Sequence, residues 1–216
     1  MPRIALVLLA AVLVNANAGD YDEALRIRCG RLVYAGSKSS VCFADSFLKT
    51  ARKQTNLDVE TKLKPVRLDS AQLFDHPFCV FSGEGDFKLN ERERENLRRY
   101  LKYGGFILSS PGCSDSKFNT AIRKELKITF PDNKLKQIKM SHPIFSTVNK
   151  ITKLVEKKGK TVYLEGLEIN GRLALVYSKE GLNHVAKAEG CCCCGGNEIR
   201  NPDKVNVNIL TYSVLY

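Results

Sequence analysis

The sequence predicts an α/β fold with a mainly parallel central sheet covered by helices on both faces. Short apolar runs alternate with amphipathic helical segments over residues 25–130, and this order favours parallel strands joined by right-handed crossovers. Two of the runs, residues 77–82 and 106–110, are mostly apolar, as is typical of strands buried on both faces. A hairpin pattern at residues 162–178 adds two strands near the C-terminus. Together these patterns indicate a three-layer sandwich.

Length and composition fit one domain. The chain has 216 residues, 44% of them hydrophobic and 26% charged, against about 150 residues for a typical domain. Residues 1–18 combine Arg3, an apolar run over residues 4–14 and small residues around Ala18, which predicts a cleaved secretory signal. A membrane anchor is less favoured because the run is shorter than the roughly 20 residues that span a bilayer. We therefore expect a single domain over residues 19–216, located outside the cytoplasm in the periplasm or secreted.

The first half of the domain contains three predicted strands and one helix. Residues 25–34 have the β-branched and aromatic character of a strand, which residues 35–40 interrupt with a Gly- and Ser-rich loop. Apolar residues then recur at helical spacing from Ala44 to Ala51, which predicts a helix to about residue 56. Residues 65–68 and 77–82 are the next strands, and Gly83 and Gly85 mark the turn after the second.

The clearest helix signal covers residues 90–103. Asn90 is a predicted N-cap, Glu93 stands at the capping-box position, and Gly104-Gly105 ends the helix. Residues 106–110 form the following strand, which Pro111-Gly112 ends, and residues 116–126 have the pattern of another amphipathic helix.

The C-terminal third predicts one hairpin and one helix. Residues 162–169 and 172–178 flank Asn170-Gly171, a pair typical of a type I′ turn. A long loop over residues 179–201 follows, and Pro202 then begins a final helix with Val205, Ile209 and Tyr212 on its buried stripe.

Eight cysteines fall into two groups. Cys29 and Cys79 lie within predicted strands, where we expect them to be core residues. The other six follow strands and should therefore lie at the carboxyl edge of the sheet, where open α/β folds bind ligands. Glu84 and Asp86 follow a strand at the same edge, and His184 lies in the long loop. The six cysteines of this group are Cys42, Cys113, Cys191, Cys192, Cys193 and Cys194.

Three kinds of chemistry remain open for these cysteines. Neighbours in the run are too close to pair with each other, but Cys191 and Cys194 can close across a turn, or members can reach Cys42 or Cys113 as structural disulfides. Alternatively, Cys191 and Cys194 have a C-x-x-C spacing, and further ligands from Cys42, Cys113, His184 or the run itself would complete a thiolate site for a metal such as zinc. Redox or catalytic thiols are the third alternative.

Cys113 is also a candidate nucleophile, because it follows a strand directly and precedes a helix whose N-terminus stabilises a thiolate. Its base would have to be His142 or His184, and neither is close in sequence. We therefore expect no catalytic residue at the site, with Cys113 as the alternative.

Two Gly-containing loops are candidate ligand sites. In the first, Glu84 and Asp86 alternate with glycines, which either lets a ligand approach the backbone or simply forms a tight turn. In the second, Ser37 and Lys38 follow Gly36 and would help to hold an anion, although the Walker spacing is missing.

The positive charge is diffuse. Lys and Arg number 34 against 23 Asp and Glu, for a net charge of +11, and residues 150–160 hold the densest lysine cluster. Nucleic acid is not favoured, because aromatic residues do not interleave with the lysines and no nucleic-acid-binding motif is present. Other envelope proteins or anionic surface polymers fit an exported basic chain better.

Five segments in order carry a resemblance to a known family. They are PVRLDSAQLFDHPFCVFSGEGDF, ERENLRRYLKYGGFILSSPGCSDSKFNTAIRKEL, FPDNKLKQIKMSHPIF, LEGLEINGRLALVYS and GCCCCGGNEIRNPDKVNVNILTYSVLY. This set resembles the bacterial family called domain of unknown function 4159. The resemblance implies a class I glutamine-amidotransferase-like, flavodoxin-like fold without an established activity.

The resemblance also places Cys113 where true amidotransferases have the nucleophile of a G-x-C-x-G elbow. Here Pro111 and Asp115 stand at the two glycine positions, and no His-x-Glu pair occurs near the C-terminus. The family resemblance thus supplies a fold and no mechanism. From the sequence we expect an exported, non-catalytic binding or interaction module with a cysteine-rich site. A thiol- or metal-dependent hydrolase or transferase, and a structural envelope protein, are the alternatives.

Overall fold

The structure is a computed structural model that describes residues 26–40, 42–183 and 198–216. The strands in these ranges are β1 (Cys29–Val33), β2 (Lys64–Arg67), β3 (Phe78–Gly83), β4 (Phe106–Pro111), β5 (Lys136–Gln137), β6 (Leu154–Val155), β7 (Thr161–Val162), β8 (Glu165–Ile169) and β9 (Arg172–Tyr177). The α-helices are α1 (Ser46–Gln54), α2 (Glu91–Lys102), α3 (Ser116–Thr129) and α4 (Pro202–Leu215). Short 3-10 helices cover Ala71–Asp75, Gly112–Ser114 and Pro143–Phe145.

Seven strands form one sheet in the order β2-β1-β3-β4-β9-β8-β5. The first five run parallel to one another, whereas β8 is antiparallel to β9 and β5 is antiparallel to β8. The predicted mixed α/β fold with a mainly parallel central sheet is confirmed, and it is compatible with a three-layer sandwich. Strands β6 and β7 form a separate antiparallel pair.

The two faces of the sheet bury two different apolar clusters. Along β3, Phe78 and Val80 belong to the cluster that includes buried residues of α1 and α4, whereas Cys79 and Phe81 belong to the cluster that includes those of α2 and α3. Successive residues of a strand point to opposite faces, so helices cover both sides of the sheet. This double coverage explains why every residue of β3 and β4 is buried.

Helix α2 begins as the sequence predicts. The Asn90 side chain accepts a hydrogen bond from the Glu93 backbone N–H at 2.9 Å, and the Glu93 carboxylate accepts one from the Asn90 N–H at 2.8 Å. The other Glu93 oxygen accepts the N–H of Ala35 at 2.6 Å. The capping box therefore also anchors the loop that follows β1.

The predicted hairpin is present as β8 and β9, but its first strand begins at Glu165 rather than at Val162, which belongs to β7 of the separate pair. Asn170 has φ 53° and Gly171 has φ 78°, and a type I′ turn requires positive φ at both central positions. The hairpin places two antiparallel strands at one side of the parallel sheet.

Helix α4 buries more residues than the apolar stripe that the sequence predicts. Val205, Ile209 and Tyr212 are buried as expected, but Asn206 and Asn208 are each only 1% exposed. The helix is covered on further sides because it packs against α1 and the Pro143–Phe145 turn. No helix in the described ranges is long and apolar enough to cross a membrane.

Candidate functional site

The carboxyl ends of β1 and β3 lie at the point where the chain changes direction across the sheet. After β1 the chain adds β2 on one side, and it then adds β3 on the other side of β1. Open α/β sheets usually bind ligands at the carboxyl ends of the strands that flank such a change of direction. We name the loops after these two strands, residues 34–40 and 83–87, together with the turn after β4, residues 112–115, the carboxyl rim.

The loops after β1 and β3 touch each other. A Cβ atom on Gly83 would lie 1.9 Å from the Tyr34 hydroxyl oxygen, so only glycine allows this approach. Gly85 has φ +72°, and its Cβ position would lie 3.8 Å from the Lys38 ammonium nitrogen. The close approach places Lys38 beside the Gly83–Asp86 turn.

All four residues predicted to bind a ligand are exposed at this rim. Ser37 and Lys38 lie on the β1 loop, and Glu84 and Asp86 lie on the β3 loop. Asp86 also has a local role, because its carboxylate accepts the Phe87 N–H at 2.9 Å. The structure thus brings the two predicted pairs to neighbouring strand ends.

Cys113 lies in the turn after β4, next to the β3 loop. Its backbone has φ 50° and ψ 31°, and Ser114 follows with φ 55°. These left-handed conformations are uncommon for residues other than glycine and are found at functional turns. The Cys113 sulfur lies 3.7 Å from a Glu84 carboxylate oxygen. A Cβ on Gly112 would lie 2.6 Å from the same oxygen, so Gly112 leaves room for Glu84.

Asp115 connects the β3 loop to the start of α3. The sequence patterns did not single out this residue. One oxygen of its carboxylate accepts the Phe118 N–H at 2.7 Å as the N-cap of α3, and the Gly85 N–H at 3.1 Å. An Asp directly before an amphipathic helix is a recognisable N-cap signal. Nothing in the sequence indicates its contact with Gly85, thirty residues earlier.

The segment after β9 packs against the Cys113 turn. The Ser114 hydroxyl donates to the Glu180 carbonyl, and the Asn183 amide donates to the Pro111 carbonyl at 3.4 Å. Asn206 of α4 donates to the Leu182 carbonyl at 3.0 Å. Burial raises the pKa of the Glu180 carboxyl above its ordinary value. The end of β9 is therefore fixed next to the rim.

The described cysteines fall into two states. Cys29 and Cys79 are free and fully buried, in agreement with their predicted place in the core. Burial raises the pKa of the Cys79 thiol to about 12 and raises that of Cys29 even further, so neither is reactive at neutral pH. Cys42 is buried and Cys113 half-buried, and neither is a free cysteine.

The remaining predicted metal ligands, Cys191, Cys192, Cys193, Cys194 and His184, lie outside the described residues, as does the predicted signal peptide. Within residues 26–40, 42–183 and 198–216, no group of three or more His, Cys, Asp and Glu side chains is arranged to hold a metal ion.

The two described histidines lie away from Cys113. His76 precedes β3 at the opposite edge of the sheet, and its Nδ1 is paired with the Gln72 carbonyl at 2.9 Å. His142 lines a cavity beside β5 and β8. Of the two predicted bases for Cys113, His142 therefore does not reach it, and His184 lies outside the described residues.

A family comparison covers nearly the whole of this fold. The model of a domain of unknown function, DUF4159, matches residues 29–214. The chain belongs to this family. The match runs from the first residue of β1 almost to the end of α4, so the DUF4159 domain includes every strand of the sheet and the carboxyl rim. A comparison with curated proteins finds no match.

Proposed function

We propose that this DUF4159 protein is an exported, non-catalytic binding or interaction module whose ligand binds at the carboxyl rim. One observation carries the proposal: Lys38, Glu84 and Asp86 are exposed together where the loops after β1 and β3 meet. Their position at the switch point of the sheet is the usual ligand position in this class of fold. Other envelope proteins and anionic surface polymers are the partners we expect.

The rim loops are held in place by hydrogen bonds to the protein's own side chains. The Ala35 N–H is bound by Glu93 and the Gly85 N–H by Asp115. A loop that is already ordered loses little conformational entropy on binding, which favours affinity. The fixed backbone therefore supports a binding role for the side chains that these loops expose.

The charges of the rim favour a polar ligand. Lys38 offers an ammonium group, Ser37 a hydroxyl, and Glu84 and Asp86 two carboxylates. Such a set can pair with an anionic group and with hydroxyl or amine donors in the same ligand. A purely apolar ligand could not form hydrogen bonds or ion pairs with these groups.

We propose in addition that disulfides stabilise the rim. Neither Cys42 nor Cys113 is a free cysteine, and disulfides persist in the extracytoplasmic compartment that the N-terminal sequence predicts. Closing a long loop in this way would stabilise the domain by about 2–4 kcal/mol. A thiolate zinc site that includes the Cys191–Cys194 run remains the alternative, and it requires reduced cysteines.

We further propose that the fold is flavodoxin-like and related to class I glutamine amidotransferases. The strand order supports the first part, because β2-β1-β3-β4-β9 has the 2-1-3-4-5 arrangement of flavodoxin-like sheets. The position of Cys113 directly after β4 supports the second part.

A fragment screen followed by amide chemical shifts tests the binding proposal. We expect binding fragments to shift the amides of residues 36–38, 84–86 and 113–115. Glu84→Gln and Lys38→Gln should weaken the binding of these fragments. Lys53→Gln, on the exposed face of α1, should leave their binding unchanged. Hits that map elsewhere, or that are equally weakened by Lys53→Gln, would contradict a ligand site at the rim.

A second candidate function is a thiol-dependent hydrolase or transferase that uses Cys113. The left-handed backbone of Cys113 at a strand-to-helix turn favours it, because such turns present nucleophiles. It requires Cys113 in the reduced form. Turnover of ester or amide substrates by reduced protein, lost in Cys113→Ser, would support this function. Equal turnover by both proteins would exclude it.

A further inference from the structure

A cavity lies on the other side of β9 from the rim, against the antiparallel strands β8 and β5. It has a volume of about 720 Å³ and is bordered by β5, β8, the Asn170-Gly171 turn and the segment through His142. Small-molecule sites usually measure roughly 300–1,000 Å³. The cavity is therefore large enough for a ligand of the size of a monosaccharide derivative.

The floor of the cavity is apolar and is shaped by a glycine. A Cβ on Gly166 would lie 2.4 Å from the Leu173 side chain and 3.2 Å from that of Ile138. The absence of a side chain at Gly166 lets Leu173 and Ile138 close over the backbone. All three residues line the cavity, so its floor is packed and fixed.

Three lysines border the opening. Lys134, Lys136 and Lys139 line the cavity and are exposed. In the part of the chain that the structure describes, none of the three forms an ion pair. Like charges around one cavity repel each other, and an anion between them relieves this repulsion.

His142 adds a neutral donor. Its Nδ1 accepts the Ile144 backbone N–H at 3.2 Å, so the hydrogen of the neutral ring is on Nε2. Burial lowers the pKa of His142 below its ordinary value, with an opposing effect of the Glu168 carboxylate. The ring therefore presents an N–H group rather than a charge at neutral pH.

The cavity also contains acceptors. Glu168 and Asp132 line it with carboxylates, which accept hydrogen bonds from hydroxyl groups. Three ammonium groups against two carboxylates favour a ligand with one anionic group and several hydroxyls. A fully anionic ligand would be repelled by Glu168 and Asp132, and a neutral one would leave the lysines unpaired.

We propose that this cavity is a second binding site, separate from the rim, for a small hydroxylated anion of the sugar phosphate or sugar acid class. The anionic group is paired with Lys136 and Lys139, and the hydroxyls are bound by Glu168 and His142.

Calorimetric titration at low salt with four probes tests the proposal: glucose 6-phosphate, gluconate, glucose and inorganic phosphate. The first two are the phosphate and carboxylate forms of the ligand class. We expect at least one of them to bind at a single site about tenfold more tightly than glucose or inorganic phosphate. Addition of the probe that binds should change the amide chemical shifts of Gly166 and Gly171, two cavity residues that are not varied.

Two double variants with the same change in charge complete the test. Lys136→Gln with Lys139→Gln should weaken the bound probe about tenfold. Lys150→Gln with Lys153→Gln, two exposed lysines outside the cavity, should leave it unchanged. Equal weakening in both variants would show attraction by overall charge only. That outcome, or the absence of saturable binding by both anions, would overturn the proposal without affecting the rim site.

Discussion

The Cys113 sulfur lies 3.7 Å from a carboxylate oxygen of Glu84, across the ends of the neighbouring parallel strands β3 and β4. Gly112 makes this approach possible, because any side chain there would occupy the position of Glu84. A carboxylate beside a sulfur disfavours the thiolate, whereas the N-terminus of α3 favours it. The Glu84 charge therefore restrains the reactivity of Cys113 whenever that cysteine is reduced.

Glu84→Gln should accelerate alkylation of Cys113 in the reduced protein at neutral pH by several-fold, since the opposing charge is removed. Iodoacetamide labelling followed by peptide mass spectrometry measures the rate. Asp86→Asn, on the same loop, is the control and should leave it unchanged. Identical rates in wild type and Glu84→Gln would contradict an electrostatic role for Glu84.

The ion pair between Arg94 of α2 and Glu125 of α3 is buried. Two hydrogen bonds of 2.9 and 3.3 Å join the guanidinium to the carboxylate, and the side chains are 11% and 1% exposed. Glu125→Ala leaves a buried cation without its main partner, and we expect a loss of about 3–5 kcal/mol in the free energy of unfolding. Urea denaturation measures this loss.

The matched control for that variant is Glu91→Ala. Glu91 lies 3.7 Å from the same guanidinium but is 82% exposed, and exposed ion pairs contribute about 0–1 kcal/mol. If the two variants lose the same free energy of unfolding, burial does not make the Arg94–Glu125 pair more important for stability than the exposed pair with Glu91.

Asn208 and Asn206 of α4 are equally buried but differ in their hydrogen bonds. The Asn208 amide donates to the Ile144 and Asn149 carbonyls at 3.0 and 2.8 Å, and its oxygen accepts the Asn149 N–H at 2.7 Å. Within the described ranges, Asn206 donates only to Leu182, and its oxygen has no hydrogen-bond partner.

Asn208→Ala should therefore destabilise the domain much more than Asn206→Ala. Each buried group left without a partner costs about 1–3 kcal/mol, and Asn208→Ala leaves several. Thermal unfolding of both variants compares them directly. A larger loss for Asn206→Ala would show that these contacts do not hold the 144–149 segment.

His142 should make the stability of the domain depend on pH. Burial lowers its pKa in the folded state, so the unfolded chain, with an ordinary pKa of about 6.5, takes up a proton first as the pH falls. The stabilisation is complete above that value and is lost as the pH falls through the folded pKa. The charge of Glu168 opposes this effect of burial on the pKa, and the Tyr212 ring packs against the imidazole with 5.2 Å between the ring centroids.

His142→Asn removes the titration and keeps an acceptor for the Ile144 N–H. We expect wild type to lose more stability than this variant between neutral and mildly acidic pH, in a buffer without phosphate. Parallel stability curves for the two proteins would contradict the prediction. Because both proteins contain Glu180, its opposite effect cancels in the comparison.

The sequence predicts those parts of the fold that depend on local patterns. The Asn90–Glu93 capping box and the Asn170-Gly171 turn are set by neighbouring residues, and both are confirmed. The alternation of strand and helix likewise predicts the parallel sheet. The common position of Ser37, Lys38, Glu84 and Asp86 at the rim could be predicted because parallel strands bring their carboxyl ends to one edge; their binding of a ligand stays a prediction.

Other contacts depend on packing between distant segments. Nothing near Arg94 indicates that Glu125 is its partner, and an amphipathic pattern does not show that Asn206 and Asn208 are buried, since α4 is covered on several sides. Glu84 was predicted as a ligand residue, but its contact with Cys113 depends on the pairing of β3 with β4. Such contacts follow from strand order, which short sequence motifs do not specify.

The thiol states of Cys113 in the rim and of Cys42, which follows the β1 loop, test the central claim most directly. Protein purified without reductant is denatured, alkylated and digested with trypsin, and the peptides that contain Cys42, Cys79 and Cys113 are compared. A disulfide-stabilised binding rim predicts that Cys79 is alkylated whereas Cys42 and Cys113 are alkylated only after reduction. Complete alkylation of Cys42 and Cys113 without reductant would contradict it.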